Sequence, residues 1–152
     1  MGGHEMAVGL SLNRNNYEEF KKYFEKIAEE KDVRKLVPVI KIDGEITKEN
    51  LNIGQIKELE KLEPFGEKNK NPIFLYKNLK IDSIRALSEG KHLKLGLRDE
   101  NIIVNAIGFN LGHLAEEYLI GDKIDVVGSL EINRYNGADF IQINLKDIMK
   151  SV

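Results

Sequence analysis

Apolar and polar residues alternate along this chain in patterns that change near residue 63. Before that point, two short apolar runs predict buried strands: Met6 to Leu12, rich in small residues, and Val37 to Ile42, led by a proline and closed by a turn at Asp43-Gly44. Strands this short need neighbours to pair with.

Two helices are expected between and after these strands. In Tyr17 to Glu30, apolar side chains recur every three or four positions, which predicts an amphipathic helix whose aromatic stripe lies in a core. Lys48 to Leu62 predicts a second helix, ending before Pro64 because proline disfavours a helical conformation in the residue before it. Residues 63–72, rich in proline, glycine, asparagine and lysine, form a connector into the second unit.

Beyond the connector, the pattern is that of strands. Five segments rich in Ile, Leu and Val are separated by Gly, Asn and Asp, and one helical stretch, Leu111 to Leu119, falls between the third and fourth. The five are Ile73 to Leu87, Lys91 to Arg98, Asn101 to Phe109, Lys123 to Tyr135 and Asp139 to Met149. This order predicts an OB-fold, a five-stranded Greek-key barrel that binds oligonucleotides or oligosaccharides. The last two strands meet at Asn136-Gly137, a pair suited to a tight hairpin.

Alternation within these strands predicts which side chains lie outside the barrel. In KHLKLGLR, Leu93, Leu95 and Leu97 point inward, so the polar residues between them share the outer face. In the last strand, Ile141, Ile143 and Leu145 point inward and leave Phe140, Gln142 and Asn144 outside. The expected inner residues of the fourth strand are Ile124, Val126, Leu130 and Ile132.

Charge is distributed unevenly along the chain. The net charge is −2, yet residues 68–98 carry eight Lys or Arg against two Asp or Glu, a local net of +6. A basic segment of this kind attracts phosphate even in a mildly acidic protein. The cations could follow a nucleic-acid backbone while Tyr135, and also Phe140 or Tyr76, offer rings to bases. They could equally be a solvated basic face.

Composition excludes several classes of protein. The chain has no cysteine, and its three histidines, His4, His92 and His113, show no metal-ligand spacing, so no metal site is expected. Its longest apolar runs are far too short to cross a bilayer, and no signal peptide precedes them. The chain is therefore expected to be cytoplasmic and without a membrane partner.

The first residues, Gly2, Gly3 and His4, predict a second kind of phosphate contact. A glycine pair can turn the chain sharply and expose backbone N–H groups to an anion, with a histidine beside them as a further donor. Alternatively, these residues belong to a dispensable, flexible N-terminus and have no binding role.

Several segments together resemble one family. GGHEMAVGLSL resembles the glycine-glycine-histidine motif of the DHH-associated domain of DHH phosphoesterases. LEPFG, NPIF, KHLKL, NAIGF, IDVVGSLEINRYNG and QINLKDI are similar, in order and spacing, to the C-terminal part of RecJ-like, single-strand-specific 5′→3′ DNA exonucleases.

The resemblance implies a fold class that is mainly β with α: residues 1–66 as the end of the DHH-associated domain and residues 67–152 as an OB-fold domain. It implies that Gly2, Gly3 and His4 hold a substrate phosphate. The family's catalytic DHH domain holds Mn²⁺ or Mg²⁺, but no DHH triplet occurs here. This fragment is therefore expected to hold no cofactor and to have no catalytic activity of its own.

The expected function is single-stranded DNA binding beside the catalytic DHH domain, in repair and recombination. The residues expected to contact nucleic acid are Lys80, Arg85, Lys91, His92, Lys94, Arg98, Arg134 and Tyr135. The alternative is an OB-fold that packs against other proteins without nucleic-acid affinity of its own. Self-association through an unpaired edge of the Met6 to Leu12 strand is also expected.

Overall fold

The structure, a computed structural model, describes residues 2–4, 7–33 and 37–151. Its contacts divide the chain into two compact units, residues 1–40 and residues 41–152. Residues 41–66 thus pack with the strand-rich part of the chain. Their assignment to a DHH-associated segment stays a prediction.

The first unit begins with a small antiparallel pair of strands. β1 (Gly2–His4) pairs with β2 (Ala7–Gly9), with Gly2 opposite Gly9. Gly2 and Gly3 therefore lie in an extended strand, and the sharp turn that a glycine pair permits does not form there. β2 is shorter than the predicted strand, whose first residue, Met6, lies outside the described residues.

The helix of the first unit has the predicted bounds but not the predicted burial. A 3-10 turn, Arg14–Asn16, leads into α1 (Tyr17–Glu30), and the side chain of Asn13 caps that turn by accepting the Asn15 N–H at 3.0 Å. No residue of α1 is buried, and Phe24 is 62% exposed. Of the expected core stripe, Tyr17 and Phe24 are exposed, and Phe20, Ile27 and Ala28 are only half-buried. Periodicity identifies an apolar face but not the element that covers it.

The second unit opens with an irregular stretch. Residues 37–43 form no strand, contrary to the prediction, and Val39 is 86% exposed. Pairing begins at Asp43, whose N–H donates to the carbonyl of Ile73 at 2.7 Å and whose carboxylate accepts the Ile73 N–H at 2.9 Å. β3 (Gly44–Ile46) follows, where a turn was expected, and lies parallel to the first barrel strand.

The second helix is shorter than its apolar pattern predicts. α2 (Ile53–Glu60) begins after Asn52, whose side chain accepts the Gln55 N–H at 3.0 Å, so residues 48–50 form a turn instead. It ends at Glu60, before Pro64. Ile56 is its buried residue.

All five barrel strands and the helical stretch form close to their predicted positions. The strands are β4 (Phe74–Leu87), β5 (His92–Asp99), β6 (Ile102–Gly108), β7 (Lys123–Tyr135) and β8 (Ala138–Lys150). A 3-10 helix, Gly112–Glu116, lies between the third and fourth of them. The sheet order is β3-β4-β5-β6-β8-β7, and pairing of β4 with β7 closes it into a barrel. The predicted OB-fold, mainly β with α, is confirmed.

The barrel interior is filled mostly by the leucine, isoleucine and valine residues that alternation predicts, although Leu130, Ile132 and Ile141 are only half-buried. Leu93, Leu95 and Leu97 are fully buried, as is Ile124 of β7. The predicted hairpin also forms, with Asn136 and Gly137 both at positive φ. In β8 one extra residue shifts the register near Lys146, which changes the phase so that Ile148 is buried after Leu145.

Candidate nucleic-acid interface

One outer face of the barrel is centred on β5. Because the three leucines of β5 point inward, His92, Lys94 and Arg98 point outward. In register, Lys94 lies beside Arg85 of β4 on one side and Ile107 of β6 on the other. β6 in turn pairs with β8, so this outer face runs from β4 across β5 and β6 to the β7–β8 hairpin.

A groove of about 340 Å³ lies on this face. Residues from four strands line it. They are Lys94 of β5, Asn105 of β6, Asn133 and Tyr135 of β7, and Phe140 of β8. Tyr135 is 66% exposed and Phe140 is 47% exposed, so both rings are open to a ligand. The groove thus combines a cation, two aromatic rings and two amides.

A chain of side-chain hydrogen bonds orders the polar groups beside the groove. The amide nitrogen of Asn133 donates to the oxygen of Gln142 at 3.0 Å. The amide nitrogen of Gln142 donates in turn to the Glu131 carboxylate at 2.5 Å. The oxygen of Gln142 accepts from one neighbour and its nitrogen donates to the other. These hydrogen bonds therefore fix the orientation of the Asn133 and Gln142 amides beside the groove.

Four of the predicted cations are free of carboxylate partners. Among the described residues, no ion pair involves Lys80, Arg85, Lys91 or Lys94, and all but half-buried Lys94 are exposed. Arg98 differs, because its guanidinium contacts the Asp82 carboxylate at 2.5 Å. The hydrogen bond and the charge of Asp82 raise the pKa of Arg98. Its charge is thus largely offset within the protein.

Arg134 lies on the other side of the hairpin from the groove. It donates to the Glu60 carboxylate of α2 at 3.1 Å and lies 3.8 Å from Asp139. Asp139 also pairs with Lys57 at 3.3 Å. The structure therefore does not bring Arg134 together with Lys94 and Tyr135, although all three were expected to act together.

Two aromatic expectations have different outcomes. Tyr76 is only 3% exposed, and its hydroxyl donates to Asp99 at 2.8 Å, so it cannot stack on a base and this expectation is wrong. Burial, with the hydrogen bond to Asp99, raises the pKa of Tyr76. Phe140 lines the groove, as its place in the strand alternation predicts.

His92 is held in a local arrangement at the end of the face. Its Nδ1 accepts the Asn110 N–H at 3.1 Å, and its ring meets Phe109 edge to face with centroids 5.2 Å apart. The sequence analysis did not identify Phe109, Asn105 or Asn133. Strand alternation carries the signal for Asn105 and Phe109, since Val104, Ala106 and Gly108 of the same segment are buried.

The N-terminal residues and metal binding add little to the site. Gly2, Gly3 and His4 lie in β1, and their expected phosphate contact stays a prediction. Within residues 2–4, 7–33 and 37–151, no group of three or more His, Cys, Asp or Glu could hold a metal ion. In the same ranges, no helix is long and apolar enough to span a membrane.

Comparison with known proteins gives one consistent family. The RecJ OB domain family matches residues 42–147, more than half of the chain. The single-stranded-DNA-specific exonuclease RecJ of Bacillus subtilis is 31% identical over 151 residues, which are 96% of this chain and 19% of that protein.

Solved structures agree with this family. The crystal structure of Thermus thermophilus RecJ in complex with Mn²⁺ has a TM-score of 0.68 and 28% identity over 99% of this chain and 22% of that one. The same protein with Mg²⁺ has a TM-score of 0.64 and 27% identity, over 93% of this chain and 21% of that one. The chain thus spans about a fifth of the length of these relatives. With its barrel, its outer groove and these matches, the chain belongs to the RecJ OB domain family.

Proposed function

We propose that this chain binds single-stranded DNA on the outer face of its barrel. In a complete RecJ-like protein it guides the strand toward a DHH catalytic domain that removes nucleotides in the 5′→3′ direction during repair and recombination. The relatives' description as single-stranded-DNA-specific exonucleases supports this proposal. The cytoplasm, where such DNA occurs, is the proposed location.

The groove that holds Lys94 beside Tyr135 and Phe140 is the observation that carries the proposal. Proteins that bind single strands combine cations along the phosphate backbone with aromatic rings on which bases stack. Each base has a π-face, so stacking tolerates any sequence. The groove offers both kinds of contact within reach of one short strand.

The same geometry favours a single strand over a duplex. In a duplex the base faces are covered by their neighbours, so Tyr135 and Phe140 could not stack on them without unpairing the DNA. A duplex would retain only contacts from cations such as Arg85 and Lys94. Its binding is thus expected to be weaker and purely electrostatic.

The chemistry of cleavage is assigned to another part of the protein. The relatives are exonucleases, but the matched family is the OB domain, and the chain covers about a fifth of their length. The Mn²⁺ or Mg²⁺ bound in the Thermus RecJ structures would belong to the catalytic domain. We assign Gly2, Gly3 and His4 to a substrate phosphate near that domain, so His4→Ala should impair cleavage by the complete protein and leave DNA binding by this chain unchanged.

Titration of the chain with fluorescently labelled oligonucleotides, followed by anisotropy at low salt, tests the proposal. Single strands of mixed sequence should bind with similar affinities, and a duplex of equal length should bind more weakly. An equal preference for duplex, or no binding at low salt, would favour the alternative of an OB-fold that contacts other proteins. Added Mn²⁺ should release no nucleotide in either case.

A further inference from the structure

Phe109 is an exposed aromatic residue that the proposed groove does not use. It follows the last residue of β6 and is 53% exposed. Single exposed hydrophobic residues are common and need no explanation on their own. This ring, however, is held edge to face against His92, which is itself fixed by the hydrogen bond from the Asn110 N–H.

The Phe109–His92 pair lies on the same outer face as the groove. Along β6, Asn105 and Ile107 alternate with buried Val104, Ala106 and Gly108, so they point outward. Phe109, directly after the strand, contacts outward-facing His92. His92 precedes outward-facing Lys94 by two residues on β5. Both members of the pair therefore continue the outer face that the groove occupies.

The pair lies just beyond the Lys94 end of the groove, whereas Tyr135 and Phe140 lie at the groove's far end. Asn105 of β6 is in parallel register with Gln142 of β8, so Phe140 is level with Ile103. Phe109 is six residues further along, or roughly 20 Å at about 3.3 Å per residue. Lys94, a groove residue, lies between Phe109 and the hairpin rings, side by side in register with Arg85, and neither cation has an ion pair among the described residues.

The loop beside the Phe109–His92 pair is held in place by close backbone packing. The Gly112 N–H donates to the carbonyl of Lys91 at 3.2 Å, and a Cβ on Gly112 would collide with the Gly90 oxygen. The backbone of Lys91, whose side chain is exposed, is thereby ordered next to His92. This end of the face accordingly has an exposed cation adjacent in sequence to an ordered aromatic pair, a combination similar to that of the groove.

We propose that Phe109, supported by His92, is a second base-stacking site, and that a single strand runs between it and the Tyr135–Phe140 groove. The inference rests on the proposed function. The strand's phosphates pass Lys94 and Arg85, and Lys91 meets the phosphate at the Phe109 end. With Nδ1 occupied as an acceptor, the neutral His92 ring carries its proton on Nε2, where it can donate to the bound strand.

The chain has no tryptophan, so a single substitution gives a site-specific fluorescent probe. Phe109→Trp should show strong quenching when a thymidylate oligomer of about 12 nucleotides binds, because bases stack on the indole. Leu119→Trp is the matched control, since Leu119 is 71% exposed but lies in the loop before β7, outside the proposed path. Its fluorescence should stay nearly unchanged.

Oligomer length gives a second readout. Affinity should rise between oligomers of about 2 and about 12 nucleotides, since only the longer one can reach both ends of the face. Phe109→Ala should remove much of that gain, weakening the longer oligomer about 10-fold, and Phe109→Trp should retain it. Circular dichroism and thermal melting confirm that each variant is folded.

The outcomes separate this inference from the proposed function. If Tyr135→Ala weakens binding while Phe109→Ala does not, and the indole fluorescence of Phe109→Trp is unmoved, the second stacking site is overturned and the groove stands. If the unsubstituted chain binds no single strand, the proposed function fails and this inference fails with it. Quenching in the Phe109→Trp variant, together with a lost length gain in Phe109→Ala, supports both.

Discussion

Arg134 and Tyr135 are adjacent in β7 and lie on opposite sides of the β7–β8 hairpin. The Arg134 guanidinium donates to Glu60 of α2 at 3.1 Å, whereas Tyr135 lines the groove with Lys94. One residue thus ties the hairpin to a helix while the next presents a ring to the ligand. Their substitutions should have different consequences.

Tyr135→Ala should weaken single-strand binding by about 1–3 kcal/mol if a base stacks on the ring, and should leave the salt dependence nearly unchanged. Arg134→Gln should leave both affinity and salt dependence close to those of the unsubstituted chain, because that guanidinium faces Glu60. Anisotropy titrations at several salt concentrations measure both quantities. A clear loss of salt dependence in Arg134→Gln would place its charge on the DNA.

Lys94 should account for one phosphate contact. Each neutralised phosphate of a single strand contributes about 0.7 to the slope of log affinity against log salt. Lys94→Gln should therefore flatten the slope by about 0.7. Lys61→Gln makes the same change of net charge at the end of α2, where Lys61 pairs with Glu58 at 2.6 Å, and should leave the slope unchanged. Equal effects of the two variants would mean that only net charge matters.

Tyr76 should make the barrel sensitive to alkaline pH. Burial and Asp99 raise the pKa of its phenol in the folded state, so the unfolded chain loses that proton first. The stabilisation is complete below the ordinary tyrosine value of about 10 and is lost as pH rises through and above it. Tyr76→Phe should remove this part of the decline, at a cost of about 1–2 kcal/mol near neutral pH for the lost hydrogen bond.

Urea unfolding from about pH 8 to about pH 11 measures this dependence. Tyr17→Phe, at an exposed position of α1, is the control. Some decline should persist in Tyr76→Phe, because burial also raises the pKa of Tyr118. An unchanged pH profile in Tyr76→Phe would show that the buried phenol does not contribute.

The exposed face of α1 should promote self-association. Tyr17, Tyr23 and Phe24 are each more than half exposed, and the Phe24 ring stacks on Phe20 with centroids 6.0 Å apart. Apolar patches of this kind commonly form contacts. Sedimentation should show a concentration-dependent dimer or larger species that Phe24→Ser weakens and Lys22→Ser does not. A strictly monomeric chain would contradict the prediction.

The sequence predicts the barrel well because alternation reports burial directly. Each leucine of KHLKLGLR is buried as expected, and β7 has the predicted bounds, Lys123 to Tyr135. β3 was not predicted. Its three residues are too few to show an alternating pattern, and its parallel partner, β4, is distant in sequence. The exposure of the α1 stripe was also not predictable, because a helical pattern does not identify what packs on it.

Only part of the candidate site can be predicted from the alternation of residues along each strand. Lys94, Tyr135 and Phe140 could be placed on the outer face by counting along their strands, and the structure brings them into one groove. The partners of Arg98 and Arg134 could not be predicted in this way. Asp82 is 16 residues from Arg98 and Glu60 is 74 residues from Arg134, so only the folded topology shows which cations are already paired.

Nitrogen-15 NMR of the chain, titrated with an unlabelled thymidylate oligomer, tests the central claim most directly. The side-chain amide signals of Asn105 and Asn133 report from inside the groove, and those of Asn13 and Asn52, which cap the 3-10 turn and α2, serve as references. The proposed interface predicts large shifts of the first pair, saturating with the binding isotherm, while the reference signals stay in place. Unmoved signals from Asn105 and Asn133 at saturating oligomer would contradict it.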